Sequence, residues 1–212
     1  QTDVAGNLSA TSANAIAWTE DSLAPASPTF TLNTDSGANG ADGITNDNVI
    51  NVGGLEGGAS TWEYSLDGGA TWQAGVGSTI NMADDTVYAA GQIQARQTDV
   101  AGNQGAIGSN AAAFTEDSTA PIAPTLSLNS DTGPADGVTS DNVINVAGLE
   151  GTATWQYSLD SGTTWQAGVG TSFNMADDTA YAAGNIQVQQ TDLAGNVSAA
   201  GSNAVAWTED ST

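Results

Sequence analysis

The chain has 212 residues and a formal net charge of −23, because 24 acidic side chains stand against a single basic one, Arg96. Nucleic acids and anionic membrane surfaces are excluded as partners, since binding to either requires cationic side chains. The sequence contains no cysteine, which excludes disulfides and thiol chemistry. No stretch approaches about 18 consecutive apolar residues and no export signal opens the chain, so we expect neither a membrane span nor a leader.

The sequence repeats itself with a period the size of a whole domain. The motif Gln-Thr-Asp-[Val/Leu]-Ala-Gly-Asn occurs at 1–7, 97–103 and 190–196. A period of about 95 residues matches a small domain with its own core, whereas shorter periods are typical of solenoids and propellers. We predict the C-terminal part of a preceding repeat at 1–22, a repeat at 23–118 and a repeat at 119–212. A chain that begins in the middle of a repeat indicates an internal excerpt.

Each repeat has the pattern of an antiparallel β-sandwich. Short β-branched or alternating segments are separated by Gly, Asn and Asp clusters, which predicts an all-β fold of tandem Ig-like domains with about seven Greek-key strands each. In the first repeat strand A is predicted at 28–33, B at 48–52, C at 61–66, a following strand (D) at 70–74, E at 79–82, F at 92–98 and G at 106–114. The turn Asp67-Gly68-Gly69 should close a tight hairpin. Short proline-containing linkers are predicted at 19–25 and 115–121.

Apolar positions that recur in both repeats predict the two cores. In the first repeat they are Leu32, Val49, Ile50, Leu55, Trp62, Tyr64, Leu66, Trp72, Ile80, Met82, Tyr88 and Ile93. A tryptophan in the third strand is typical of Ig-like cores. Trp72 and its counterpart Trp165 have the alternative interpretation of carbohydrate stacking, although packing is the commoner use of such side chains.

Acidic residues concentrate where the predicted topology brings consecutive repeats together. The A–B, C–D and E–F loops of one repeat, with its linker, should face the B–C and F–G loops of the next. The residues assigned to this seam are Asp35, Asp42, Asp47, Asp67, Asp84, Asp85, Glu116 and Asp117 on one side and Glu150, Asp192 and Asn196 on the other. Unit charges 4 Å apart repel by on the order of 1 kcal/mol even in water, so we expect a bound cation.

Calcium is the cation that fits these side chains best. Ca²⁺ takes carboxylate, amide and carbonyl oxygens in irregular geometry, whereas zinc and copper prefer the His and Cys ligands that the chain lacks. Taken singly, each Asp also has a turn-forming interpretation, and Asp42-Gly43 and Asp136-Gly137 fit it directly. Neither an EF-hand loop nor the Gly-rich nonapeptide of β-rolls is present. The metal hypothesis therefore depends on the distribution of the acids and the lack of counter-cations.

Four motifs in fixed order carry a family resemblance. They are APASPTFTLNTDSG at 24–37, ADGITNDN at 41–48, YSLDGGATW at 64–72 and TDVAGN at 98–103. In this combination they resemble the bacterial Ig-like repeats of giant RTX-type surface adhesins, and the resemblance covers both repeats and the partial one.

The resemblance implies extracellular β-sandwich domains in long tandem arrays, exported by a type I system for cell adhesion and biofilm formation. Calcium at the interdomain joints would stiffen the array and project a ligand-binding tip from the bacterial surface. The implied joint ligands are Asp21 or Asp117 of the linkers, Asp42 and Asp136 of the A–B loops, and Asp99 and Asp192 of the F–G motifs. Asn103 occupies the position of Asn196 and joins this set.

Three other functions were weighed against a structural extender. Assembly into a filament by strand exchange is motivated by residues 1–22, which supply only F–G strands and leave an open edge. Sugar or ice binding through Trp72, Trp165 or the Thr-rich strands is less favoured, because binding modules usually occur once and these repeats are near duplicates. Catalysis is disfavoured because His, Cys and Lys are absent and the pair Asp84-Asp85 are loop neighbours. We predict an extender that is not an enzyme, with neighbouring repeats, or other copies in a filament, as partners.

Overall fold

The computed structural model describes residues 1–58 and 60–212 and contains two tandem all-β domains. The predicted fold class is confirmed. Each domain has three sheets with the same strand order as in the other. In these described ranges, no helix is both long enough and apolar enough to cross a membrane.

The strands are short and fall at equivalent places in the two domains. In the first domain they are β1 Thr29–Leu32, β2 Ile44–Thr45, β3 Val49–Gly53, β4 Thr61–Ser65, β5 Gln73–Ala74, β6 Thr79–Asn81, β7 Thr86–Tyr88, β8 Gln94–Thr98, β9 Gly108–Ser109 and β10 Phe114–Glu116. In the second they are β11 Thr125–Leu128, β12 Val138–Thr139, β13 Val143–Ala147, β14 Thr154–Ser158, β15 Gln166–Ala167, β16 Ser172–Asn174, β17 Ala180–Tyr181, β18 Gln187–Thr191, β19 Gly201–Ser202 and β20 Trp207–Glu209.

Two of the sheets in each domain supply most of the core, and the third sheet adds Tyr88 and Phe114 in the first domain. In the first domain the two sheets are β1-β3-β6 and β5-β4-β8-β9, and the third sheet is β2-β10-β7. The strands pair antiparallel except that β10 runs parallel to β2, with Thr115 opposite Ile44. The core cluster joins Ile50 and Ile80 of the first sheet to Trp62 and Tyr64 of the second.

The alternation of buried and exposed residues explains which strands were predictable. Ile50 and Val52 are buried while Val49 points away, because side chains alternate along a strand. The predicted core is confirmed with four exceptions. Val49 and Trp72, and their counterparts Val143 and Trp165, lie outside the two clusters. Trp72 is half-buried, with the Arg96 guanidinium 4.1 Å above its ring. The predicted tight hairpin at Asp67-Gly68-Gly69 is wrong, because β4 pairs with β5 across a longer connection, residues 66–72. Gly68 and Gly69 do have positive φ, +72° and +90°.

The predicted last strand at 106–114 is wrong as a single element. The chain instead forms β9 in one sheet and β10 in another. Asn110 causes the crossover, because its buried side-chain amide donates to Ala89 O at 2.9 Å and Ala112 O at 2.7 Å. Its Oδ1 also accepts a hydrogen bond from Ile93 N at 2.9 Å. Asn203 makes the same three contacts in the second domain. The two-residue and three-residue strands β2 and β7 were not predicted.

Candidate interdomain joint

The first domain holds the beginning of the linker to the second domain. Glu116 ends β10 with its side chain 1% exposed, and its Oε2 accepts a hydrogen bond from Asp85 N at 2.6 Å. The Asp85 carboxylate accepts two bonds from the linker, from Ser118 N at 3.0 Å and from Thr119 Oγ1 at 2.7 Å. These bonds hold the pKa of Asp85 below its usual range, with the Thr119 hydroxyl as the largest cause. The loop between β6 and β7 thus holds the linker through hydrogen bonds.

The F–G turn, residues 192–196 between β18 and β19, is closed by its own side chains. Asp192 Oδ1 accepts from Asn196 N at 2.8 Å, and Oδ2 accepts from Asn196 Nδ2 at 2.9 Å. The same clasp closes the counterpart turns at 99–103 and at 3–7. Bonds of this kind stabilise the ionised carboxylate, so the pKa of Asp99 is lowered chiefly by the Asn103 side chain.

The second domain reaches across the joint through this turn. Asn196 Nδ2 donates to Asp117 O in the linker at 2.7 Å. The joint that precedes the first domain contains the same contact, from Asn103 Nδ2 to Asp21 O at 3.0 Å. The structure therefore brings Asp117 to Asp192 and Asn196. It likewise brings Asp21 to Asp99 and Asn103.

The A–B loop and the F–G turn of the next domain were expected to face each other, but the residues that make the contact were not predicted. The loop between β1 and β3, the A–B loop, touches the F–G turn of the second domain: Ser36 Oγ donates to Ala194 O at 2.5 Å. Ala194 is 0% exposed, whereas Ala101 at the equivalent position of the first domain is exposed. The only sequence signal for this contact was the recurrence of Asp-[Ser/Thr]-Gly at 35–37 and 131–133.

Two of the predicted metal ligands have a turn-forming role, and a third, Asp84, is exposed. Asp42 and Asp136 are exposed, and each Oδ1 accepts a hydrogen bond from the backbone N–H two residues later, at 3.0 and 3.1 Å, which is the turn-forming geometry. Asp136 also belongs to the A–B loop of the second domain and not to this joint. Asp84 is exposed, and its backbone carbonyl accepts from Thr86 Oγ1 at 3.0 Å.

Asp35 is the predicted ligand whose surroundings suit a cation best. Its Oδ2 accepts from Gly43 N at 3.1 Å, whereas its Oδ1 is buried and lacks a hydrogen-bond partner, alone among buried side-chain atoms of the described residues. Within 1–58 and 60–212, no group of three or more acidic side chains could hold a metal ion. An ion here would take amide or carbonyl oxygens and water as well, as Ca²⁺ accepts. Calcium binding by the predicted set stays a prediction.

Comparison with known proteins shows likeness in fold. No family model matches the chain, and no curated protein matches it. A solved structure concerning "host cell surface retention of a 1.5-MDa bacterial ice-binding adhesin" is 17% identical, with a TM-score of 0.36, and covers 77% of this chain and 57% of that one. Fibronectin(III)-like modules of Clostridium thermocellum CbhA are 11% identical, with a TM-score of 0.40, and cover 86% of this chain and 95% of that one.

A cytokine receptor complex is similar at the same level, with 14% identity, a TM-score of 0.32 and coverage of 74% of this chain and 88% of that one. The chain spans little more than half of the adhesin chain that it matches. An adhesin, the class of protein that the sequence motifs resemble, is thus among the structural neighbours. At these identities and TM-scores the likeness concerns the sandwich architecture and carries no argument about function.

Proposed function

We propose that the chain is a spacer segment of a large extracellular bacterial surface adhesin, in which tandem Ig-like domains form a stiff rod. The observation that supports this best is the linker held from both sides, by Asp85 of the first domain and by Asn196 of the second. A linker with such restraints transmits orientation from one domain to the next. The near duplication of the two domains also favours a spacer over a specific binding site.

Calcium at the joint would restrict the interdomain angle further. The calcium ion would bind to Asp35 Oδ1, which has no hydrogen-bond partner, and to oxygens of the linker and the F–G turn. The candidate residues for those further oxygens are Asp117, Asp192 and Asn196. Bound Ca²⁺ would neutralise carboxylates that have almost no cationic partners, since Arg96 is the one basic side chain of the sequence and pairs with Glu63 at 2.8 Å. Binding to the docked arrangement alone shifts the equilibrium towards it.

Small-angle scattering of the whole chain tests the calcium-stiffened spacer. We expect the maximum dimension to be larger, and the profile less flexible, in millimolar Ca²⁺ than in chelator. Asp35→Asn removes the charge of the unpartnered oxygen and should abolish this response. The matched variant Asp131→Asn changes the same position in the second domain, where Asp131 Oδ2 accepts from Gly137 N, and should keep it. Identical wild-type profiles with and without Ca²⁺ would refute the calcium part of the proposal.

A filament assembled by strand exchange is the second candidate, and one segment favours it. Residues 17–20 have the same sequence as residues 206–209, which include β20. Trp207 is 8% exposed within its domain, whereas Trp18 is 84% exposed. Insertion of 17–20 into another copy would cover Trp18. Sedimentation velocity should then show concentration-dependent oligomers that Trp18→Ala reduces, and a monomer at all concentrations would exclude this assembly.

A further inference from the structure

Two glycines bring the domains into backbone contact at the joint. Gly37 has a φ of +89°, and a Cβ there would overlap the carbonyl oxygen of Leu193. Gly195 has a φ of +93°, and a Cβ there would lie 2.9 Å from Gly37 N. Only glycine combines this conformation with so close an approach. The two turns therefore fit together because neither carries a side chain at the contact.

Equivalent residues away from the joint serve as internal controls for this interpretation. Gly133 has the φ of Gly37, +89°, and Gly102 has a φ of +94°, yet a Cβ at either would meet nothing within 4 Å. Each domain therefore sets the backbone conformation of its own turn, whereas the close approach of backbone atoms occurs only where two domains meet.

The second domain carries the same docking surface in a preformed state. We define the docking loop as residues 35–37 in the first domain and 131–133 in the second. Thr132 Oγ1 accepts from Ser140 N at 2.8 Å, as Ser36 Oγ accepts from Asn46 N at 2.8 Å. The loop is thus shaped before anything docks on it. Asp131 and Thr132 are exposed, whereas Asp35 and Ser36 are half-buried by the docked turn.

We propose that the docking loop is the recognition surface for the F–G turn of a following domain, and that 131–133 accepts such a turn from a further repeat. The partner is defined by its chemistry: an Asp-[Val/Leu]-Ala-Gly-Asn turn closed by its own Asp–Asn clasp. It offers an alanine carbonyl to the loop hydroxyl and a glycine backbone to the loop glycine. This inference extends the proposed spacer function, because it names the residues that set the angle between domains.

The recognition does not require a metal ion. Its contacts are a hydroxyl donated to a carbonyl and the packing of one backbone on another, and none of these groups titrates or ligates through a charge. The docking loop would hold the angle in the absence of calcium, and calcium would narrow the remaining motion. The two contributions can therefore be measured separately on one molecule.

Paired glycine variants of the whole chain test the inference. Because the chain has no cysteine, Val76→Cys and Val169→Cys, at two exposed positions in different domains, allow specific spin labelling. Gly37→Ala should broaden the distribution of distances between the labels, because the new methyl group displaces the F–G turn. Gly133→Ala imposes the same backbone strain without a neighbour and should leave the distribution unchanged.

A second pair guards against a variant that fails to fold. Gly195→Ala should broaden the distribution, and Gly102→Ala should not. Thermal unfolding of each pair should give matched losses of stability, since φ is nearly the same within the pair. Equal distance distributions within both pairs would overturn the inference.

A lengthened chain tests the partner of the free loop. When a further copy of residues 120–212 follows Thr212, Thr212 takes the place of Thr119 and a second joint of the same length is created. Gly133→Ala should have no effect on the present chain. In the lengthened chain it should broaden the distribution of distances between a label at position 169 and a label at the equivalent position of the added copy. No effect of Gly133→Ala there would overturn the assignment of 131–133 as a docking surface.

Chelator added to the same labelled samples separates this inference from the proposed function. A wild-type distribution that ignores Ca²⁺, with a broadening in Gly37→Ala, would support the docking loop and contradict calcium stiffening. A Ca²⁺ response with no difference between Gly37→Ala and Gly133→Ala would support calcium stiffening and overturn the docking loop.

Discussion

The carboxylates of this chain are stabilised one at a time by local hydrogen bonds, since cationic side chains are almost absent. Asp67 accepts from Thr71 Oγ1 at 2.6 Å and from Ser65 Oγ at 2.7 Å. These bonds lower the pKa of Asp67 to about 2, with the Thr71 hydroxyl as the largest cause. In the second domain the backbone N–H of Thr164, followed by the hydroxyls of Thr164 and Ser158, lowers the pKa of Asp160 to about 2. Turn formation is therefore the general use of aspartate here.

A pH-dependent loss of stability follows for Asp67→Asn. The folded-state pKa lies below the unfolded value of 3.8, so the ionised carboxylate contributes stability above 3.8 that is lost as pH falls towards about 2. The variant should unfold at a lower temperature than the wild type near neutral pH. The difference should shrink between pH 3.8 and about 2. Thermal unfolding followed by circular dichroism measures it, and a difference that stays constant over that interval would contradict the assignment. Asp160→Asn should behave alike.

Single residues also show what the sequence could reveal about the joint. Asp117, Asp192 and Asn196 were assigned to one seam from the repeat and the Greek-key order, and the structure brings them together. Ser36 and Gly37 were missed, because a Ser-Gly pair in a polar loop has the pattern of an ordinary turn. Their partners, Leu193 and Ala194, belong to the other domain, so no local pattern could indicate the contact.

At the scale of elements, buried side-chain amides decide where strands change sheets. The alternating strands β3 and β8 were predictable from their own residues, since burial follows the side-chain period. The division of the last strand into β9 and β10 was not, because Asn110 resembles a surface turn residue in sequence. Two of its three partners, Ala89 and Ile93, lie 21 and 17 residues earlier in the chain. Only the folded arrangement makes Asn110 part of the interior.

Replacement of Asn110 should be costly for this reason. Asn110→Ala would leave the buried N–H of Ile93 without its partner and would remove the side-chain hydrogen bonds to Ala112 O and to Ala89 O, which also accepts from Gln92 N. An unsatisfied buried group costs about 1–3 kcal/mol. We expect the free energy of unfolding of the first domain to fall by about 2–4 kcal/mol, measured by urea denaturation. Asn203→Ala should cause a similar loss in the second domain. The control Asn81→Ala, at an exposed position of β6, should stay within about 0.5 kcal/mol.

At the scale of the whole molecule, the linker is the element that hydrogen bonds from both domains restrain. Asp85 binds Ser118 and Thr119 from the first domain, and Asn196 binds the carbonyl of Asp117 from the second. The prolines of the linker sequences predict short, stiff joints, and the structure adds these hydrogen bonds from both domains. The hydrogen bonds accepted by the Asp85 carboxylate depend on pH, whereas the one donated by the Asn196 amide does not.

Acid should therefore loosen the joint between the domains while each domain stays folded. The pKa of Asp85 is lowered in the folded chain, so its bonds to the linker persist above the unfolded value of 3.8 and weaken as pH falls through the folded pKa. We expect the distances between spin labels at positions 76 and 169 to broaden at acid pH while circular dichroism retains the sandwich signal.

Asp85→Asn should reproduce part of this loosening near neutral pH, because the amide binds its donors less strongly than the carboxylate does. Asp178→Asn is the matched control, since Asp178 accepts from Ser211 N at 3.1 Å beyond the second domain and touches no part of the joint between the labels. If the distribution of label distances is equally narrow in Asp85→Asn and Asp178→Asn, the Asn196 hydrogen bond and the docking loop fix the angle between the domains without Asp85. The joint would then be stiffened by contacts that do not titrate.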